Sequence, residues 1–317
     1  MESGDECPAC GSLESQALFR ASDRLYRTTT REFRIVECRS CRLMRLSPQP
    51  DPSELCQHYP EAYWFAPADT TAGELEERYR RIVIRDHVRF VRRALEASGE
   101  DGLVLDVGCG GGLFLRMLSG GGLPVAGLDF SLDAAALAWR NGVPAVCGSL
   151  SHAPFPAGAC SAVTMFHVLE HLYNPLAYLE AARELLREHG RLIVQVPNAA
   201  CWQFLLLGEH WSGLDVPRHL YQFRRRDLEV LLDQAGFQIV RTKFFSLRDN
   251  PAGLATSLAP WLDPMARRVR GVPESDRAKL IKDLLYFCLV VAAWPVTVLE
   301  AACGAGSTIM VEACKKS

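Results

Sequence analysis

Leu103–Leu115 reads LVLDVGCGGGLFL, a short branched-apolar run that breaks into glycine and then resumes as an apolar stretch fit for a helix. Five residues of that composition, Leu103 to Val107, predict a strand buried on both faces, as in a parallel sheet. Gly108, Gly110 and Gly112 let the backbone behind that strand come close to a ligand. A dinucleotide fingerprint spaces its glycines G-x-G-x-x-G to set a pyrophosphate against the amides of a helix N-terminus, but the third glycine position here is Leu113. The spacing is G-x-G-x-G instead. Asp129 closes a second apolar run, Val125 to Leu128, and stands 21 residues after Gly108, where a carboxylate can accept hydrogen bonds from both hydroxyls of a ribose. A ribose is therefore expected in the pocket, and a pyrophosphate much less so.

Further motifs follow in order. His167-Val-Leu-Glu-His-Leu172 comes after a fourth strand, Val194-Gln-Val-Pro-Asn198 lies at a fifth, and Gly213-Leu-Asp-Val-Pro-Arg-His219 lies beyond it. Together with DVGCGGG and Asp129 they resemble the class I S-adenosylmethionine-dependent methyltransferases, in the branch that holds the ubiquinone-biosynthesis O-methyltransferases. The resemblance covers roughly residues 100 to 245 plus the final strand. It implies an α/β fold with a Rossmann-like seven-stranded sheet and S-adenosylmethionine as cofactor. The cofactor residues it implies are Asp106, Gly108, Cys109, Gly110, Gly112, Asp129, Phe130, Ser149, Leu150 and His167. Two positions depart from the family pattern. Cys147-Gly-Ser-Leu150 follows the third strand, Ala145 to Cys147, where an acid usually meets the adenine amino group, so Ser149 or backbone must substitute. Cys160-Ser161 precedes the fourth strand in place of Phe-Asp.

A chain of 317 residues with 49% hydrophobic content is long enough for one large domain and an accessory module. A net charge of −2 provides no basic field of the kind that draws proteins onto nucleic acid, so no nucleic-acid partner is expected. The opening MESGDECPAC has acids and no apolar run, and the chain's twelve cysteines outline no disulfide framework. The expected compartment is the cytoplasm.

Four of the cysteines form a pattern. Cys7-Pro-Ala-Cys10 and Cys38-Arg-Ser-Cys41 are two C-x2-C knuckles 27 residues apart, a spacing that can wrap four thiolates round one zinc ion. Phe33 to Glu37 and Leu43 to Leu46 read as strands beside the second knuckle, which gives a zinc ribbon over residues 1–46. A closed four-thiolate shell has no open coordination position, so the expected role is structural. Residues 1–45 hold eight arginines against seven acids, a mixed surface rather than a basic stripe. Sugar C-methyltransferases resemble this chain in joining an N-terminal zinc-binding segment to the same catalytic fold, which keeps a sugar acceptor open.

Residues 47–99 read as a proline-rich linker and amphipathic helices: a short helix over Asp51 to His58, then Glu74 to Ala97. Tyr59, Tyr63, Trp64 and Phe65 lie between these two and read as packing aromatics. The methyltransferase core is expected over residues 100–245, with Phe237 to Phe245 as a strand, and the last strand over 307–317. Residues 246–306 form an insertion, and Leu284 to Leu299 within it is apolar for sixteen residues. That run is too short for a comfortable bilayer crossing. A buried helix, peripheral membrane contact at the inner face, pairing of two subunits as a homodimer and lining of a lipophilic acceptor pocket all stay open.

In-line methyl transfer needs a base near the carboxyl ends of the strands. The first choice is His219, whose loop also carries Asp215 and Arg218, and the second is His171. No convergent carboxylate cluster suggests magnesium, and Cys109 reads as a small buried residue. The expected function is methyl transfer to a hydroxyl of a lipophilic or glycan-type biosynthetic intermediate, the acceptor being a small molecule or a lipid- or glycan-linked one. The alternatives are a sugar C-methyltransferase and a zinc-ribbon binding protein whose fold has lost activity.

Overall fold

The structure, a computed structural model, describes residues 6, 7, 9–60 and 71–316. Tyr63, Trp64 and Phe65 lie outside the described residues. The described chain divides into two compact units, one of residues 71–196, 228–248 and 310–316, the other of residues 6–60, 197–227 and 249–309.

The first unit is the α/β body. Helix α2 (Thr71–Ser98) precedes strand β4 (Leu103–Val107), and helix α3 (Leu113–Leu118) leaves the glycine turn behind that strand. β5 (Val125–Asp129), α4 (Leu132–Arg140) and β6 (Ala145–Cys147) follow, then β7 (Cys160–Phe166), α5 (Pro175–Leu185) and β8 (Leu186–Pro197). α7 (Arg225–Gln234), β10 (Phe237–Lys243) and β11 (Thr308–Lys315) complete it. The sheet runs β10-β11-β8-β7-β4-β5-β6, with β4 parallel to β5 and β7 and β10 antiparallel to β11. This is the Rossmann-like seven-stranded sheet that the sequence leads one to expect.

Local chemistry fixes the helix starts. Ser131 Oγ accepts the Ala134 amide at 3.3 Å and Asn174 Oδ1 accepts the Ala177 amide at 3.0 Å, each satisfying a donor that the first helical turn leaves over. One face of α2 (Val88, Val91 and Leu95) packs on Leu115, Leu118, Val104 and Ile193 to form the core. Each such side chain contributes on the order of 1.5–3 kcal/mol by leaving water.

The second unit carries the cysteines. β1 (Ser15–Ser22), β2 (Glu32–Cys38), β3 (Met44–Leu46) and β9 (Tyr221–Gln222) form an antiparallel sheet in that order. α1 (Pro52–Leu55), α6 (Trp202–Leu207), α8 (Asp249–Leu258), α9 (Pro264–Val269) and α10 (Asp276–Ala302) are its helices. Residues 197–227 therefore group with the N-terminal segment, not with the core expected over 100–245. The cause is long-range pairing that no local pattern announces: Met44 faces Gln222, and the Arg224 guanidinium reaches Glu37 Oε1 at 3.1 Å. The reading of Leu284–Leu299 as an ordinary buried helix also gives way, because only 22% of the most apolar 18-residue window of α10 is buried.

Candidate functional site

The glycine turn at the carboxyl end of β4 and the acid at the end of β5 meet as the sequence suggests. Gly108, Gly110 and Gly112 all have positive φ. A Cβ at Gly108 would come within 2.6 Å of Val168 Cγ2, whereas one at Gly110 would meet no atom within 4 Å. The turn is thus tight on one side and open at Gly110. Asp129 Oδ2 accepts the Gly110 amide at 2.9 Å and Oδ1 accepts the Ser131 amide at 2.9 Å, so one carboxylate ties the two strand ends together. Burial nevertheless holds its pKa above the usual carboxylate range. Phe130 beside it is 63% exposed, an unusual degree of exposure for a phenyl ring.

Asp106 lies under this turn. Its Oδ1 accepts the Thr164 hydroxyl at 2.6 Å across β4 and β7, where the two residues are register partners. Burial pushes its carboxyl up to about 7; the Thr164 hydrogen bond opposes the rise and the Asp129 charge adds to it. In the unfolded chain an aspartate ionises near 3.9. Between about pH 4 and 7 the unfolded chain therefore releases a proton that the folded chain keeps, and the stability this group supplies below pH 4 drains away as pH rises to 7. The Asp106→Asn variant is expected to flatten that slope, removing up to about 4 kcal/mol of the change summed over the window. Thermal melts across the window check this, and an unchanged slope would reject it.

The remaining cofactor candidates sit at neighbouring strand ends. Cys109 is buried, with burial and the charges of Asp106 and Asp129 raising its thiol pKa, which fits a packed residue and not a nucleophile. Ser149 Oγ lies 3.1 Å from Ser151 Oγ and 3.1 Å from His152 Nδ1, and Leu150 is buried beneath. His167 follows β7 with φ at 56°, a strained backbone for a residue with a Cβ. Its Nδ1 lies 3.2 Å from the buried Glu170 carboxylate and its Nε2 lies 2.8 Å from Gln195 Nε2. The tautomer that satisfies both donates from Nδ1 and accepts at Nε2, which fixes the orientation of the ring. Sequence reading passed over Gln195 and Thr164; the available signal was a polar residue inside an otherwise apolar strand.

The base candidates fall as follows. His171 is half-buried, in the short turn after β7, with its amide donating to the Val168 carbonyl at 3.0 Å. In the second unit His219 is 7% exposed, and its Nδ1 lies 2.9 Å from the Gly213 carbonyl. Asp215 Oδ2 stands 3.8 Å from its Nε2. Arg218 is fully buried: Asp23 Oδ1 and Asp215 Oδ1 each accept from Nη2 at 2.7 Å, and the guanidinium stacks 4.5 Å from the Tyr26 ring. Paired with two carboxylates, it holds the segment that bears His219 against the N-terminal strands. Trp211 and Tyr221 are both buried, as packing aromatics.

The cysteine knuckles converge. Cys7 Sγ lies 3.4 Å from Cys41 Sγ and Cys10 Sγ 3.5 Å from Cys38 Sγ, and all four sulfurs fall within 4.8 Å of one another. Four thiolates at about 2.3 Å from a tetrahedral zinc would stand about 3.8 Å apart, so the set can hold such an ion. Each knuckle turns in the same way, with Gly11 and Arg42 both at φ 71° and their amides donating to the Cys7 and Cys38 carbonyls. Burial works against the Cys38 thiolate, but hydrogen bonds from the Cys41 and Ser40 amides bring its pKa down to about 6.

A largely parallel sheet whose first strand ends in a glycine turn, and whose second ends in an acid bound to that turn, defines a Rossmann-like nucleotide-binding class of protein. A structure of a provisionally assigned sarcosine dimethylglycine methyltransferase from Galdieria sulphuraria shares the fold: 13% identity, 73% of this chain and 86% of that one covered, TM-score 0.50. Residues 76–242, just over half of the chain, match the pattern of the methyltransferase-domain family, and the chain belongs to that family. Among relatives, a "Probable S-adenosylmethionine-dependent methyltransferase" of Mycolicibacterium smegmatis is 29% identical over 179 residues, covering 55% of this chain and 65% of that protein. The ubiquinone biosynthesis O-methyltransferase of Xylella fastidiosa strain 9a5c is 30% identical over 166 residues, covering 47% of this chain and 65% of its own length. The match thus spans just under two thirds of the length of each of these relatives.

Proposed function

We propose that the chain transfers a methyl group from S-adenosylmethionine to a hydroxyl of a lipophilic or glycan-type small molecule. The observation that carries this reading is the Asp129 carboxylate fixed 2.9 Å from the Gly110 amide, beside a backbone that is open at Gly110 and a phenyl ring exposed at Phe130. A carboxylate there suits ribose hydroxyls, an open amide turn suits the amino-acid end of the donor, and an exposed ring suits adenine. Family membership and the names of the relatives support the same donor, and an O-methyltransferase name among them supports a hydroxyl acceptor. When bound, the donor supplies a sulfonium methyl open to in-line displacement.

The chain's own residues then have three tasks. Asp129 and the glycine turn hold the donor, and Asp106 with Thr164 supports that turn from below. His219 removes the acceptor proton: donation from Nδ1 to the Gly213 carbonyl leaves Nε2 as the nitrogen that can accept, with Asp215 Oδ2 3.8 Å from it. His171 is the second candidate base. Replacing His219 with alanine is expected to lower kcat about 100-fold, the low end for a general base, while donor Kd stays within about twofold. Equal losses in both would reject the base assignment.

Under the same reading the four cysteines hold one structural zinc ion, supported by their sulfur spacing. Calorimetric titration with S-adenosylmethionine tests the whole reading: micromolar binding is expected, and no binding heat would leave the fold as a scaffold.

A further inference from the structure

Helix α10 is the feature that methyl transfer leaves unexplained. One stripe of it is internal: Val290, Ala293, Thr297 and Glu300 are buried, and α8 packs along its length. Both ends of that stripe are pinned within the unit. Tyr286 Oη lies 2.8 Å from Thr256 Oγ1 and 3.2 Å from Asp263 Oδ2, while the Glu300 carboxylate accepts the Gln203 amide at 3.0 Å and Gln203 Nε2 at 2.9 Å. Among the described residues, much of the rest of the circumference is uncovered. Leu284, Phe287, Val291, Trp294, Val298 and Leu299 are all exposed, between 43% and 58%. Surface helices of water-exposed proteins put polar residues there, and monomers rarely leave so large an apolar patch uncovered.

We propose that this flank is a docking surface for the interfacial layer of a lipid bilayer, with α10 lying flat in it; the inference does not depend on the methyl-transfer reading. α10 is long and apolar enough to cross a bilayer by length and composition, but its charge-free run Leu284–Leu299 spans only about 24 Å against a hydrocarbon core of about 30 Å, and hydrogen bonds tie both ends to the same unit, which favours a helix lying flat. A second copy of this chain fits the flank poorly. Protein interfaces of ordinary size carry about ten hydrogen bonds and a polar rim. Here the hydroxyls of the run are turned inward: Thr297 is buried with Oγ1 donating to the Trp294 carbonyl, and Tyr286 faces Thr256. Among the exposed side chains of the run, the Trp294 indole is the one strong hydrogen-bond donor, and an indole is at home at headgroup level.

Charge completes the match. The apolar run is preceded in the first turn of α10 by exposed Arg277 and Lys279 beside one exposed acid, Asp276, and by exposed Arg268 in α9, a net positive end that suits anionic headgroups beside a hydrocarbon face.

The test is co-sedimentation of the full chain with phosphatidylcholine vesicles and with vesicles that are half phosphatidylglycerol. Binding to both is expected, stronger to the anionic set and weakened by salt. The variant L284Q/F287Q/V291Q/L299Q, altered only at exposed positions, is expected to bind at least about tenfold less with an unchanged melting temperature. Should it fold poorly, R277E/K279E keeps the apolar flank and is expected to lose the preference for anionic vesicles alone. Wild-type protein that stays in the supernatant with both vesicle types overturns the proposal, as does binding that neither variant reduces. A dimer that the quadruple variant converts to a monomer, in a chain that ignores vesicles, would assign the flank to a second copy.

Discussion

The Asp129→Ala variant is expected to bind S-adenosylmethionine about 1000-fold more weakly than the parent. The Asp129 carboxylate is held in place by two amides, Gly110 and Ser131. A preorganised acceptor of this kind makes charge-assisted hydrogen bonds to two ribose hydroxyls, each worth about 2 kcal/mol, and 1.4 kcal/mol is a factor of ten. Removing it also frees the Gly110 amide, so a melting curve of the unliganded variant must accompany the titration. A small change in melting temperature with a large change in Kd is the expected result. Because burial holds the pKa of Asp129 above the usual carboxylate range, donor binding by the parent should also weaken as pH falls through that raised value, since the protonated acid loses half of its acceptor character. A Kd that moves less than threefold on substitution would remove the ribose role from Asp129 and, with it, the strongest support for the donor.

The glycine turn, Asp129 and the cysteine knuckles were legible in the sequence because each is a local pattern with a fixed spacing, set by backbone conformation or by a metal's coordination shell. The sheet was legible because its strands are short, apolar and regularly interleaved with helices. What stayed hidden was pairing at long range. Tyr221–Gln222 reads as part of the catalytic core, yet it forms a strand beside Met44–Leu46, a partnership across more than 170 residues. Arg218 reads as a companion of His219 in a catalytic loop, but its partner Asp23 lies 195 residues away. Thr164 and Gln195 were missed for a different reason. In a buried strand a single polar residue carries no periodicity, and only the register, Asp106 opposite Thr164 and Phe166 opposite Gln195, gives it a partner.

These same long-range pairings make metal removal the second large effect. Zinc-thiolate shells in small modules supply on the order of 10 kcal/mol of folding free energy, and a sheet of a few short strands has little core to replace it. Cys38 lies at the end of β2 and Cys41 three residues before β3, so loss of the proposed zinc ion is expected to loosen both strands. β3 is the strand on which β9 pairs, and Arg224 spans from Asp227 to Glu37 and the Arg42 carbonyl beside the second knuckle. The segment from Gly213 to Arg224, which carries His219, is therefore tied to the cysteine end of the sheet by backbone and by ion pair alike. The glycine turn and Asp129 belong to the other unit and share none of these ties. The Cys38→Ser variant, or the parent stripped by a strong chelator, is expected to lose one equivalent of zinc and more than about 100-fold of kcat, while donor affinity changes by less than about threefold. Zinc content by atomic emission, calorimetric donor binding and turnover on the same preparation separate the outcomes. Preserved turnover in a zinc-free chain would mean that the N-terminal sheet neither needs the ion nor positions His219.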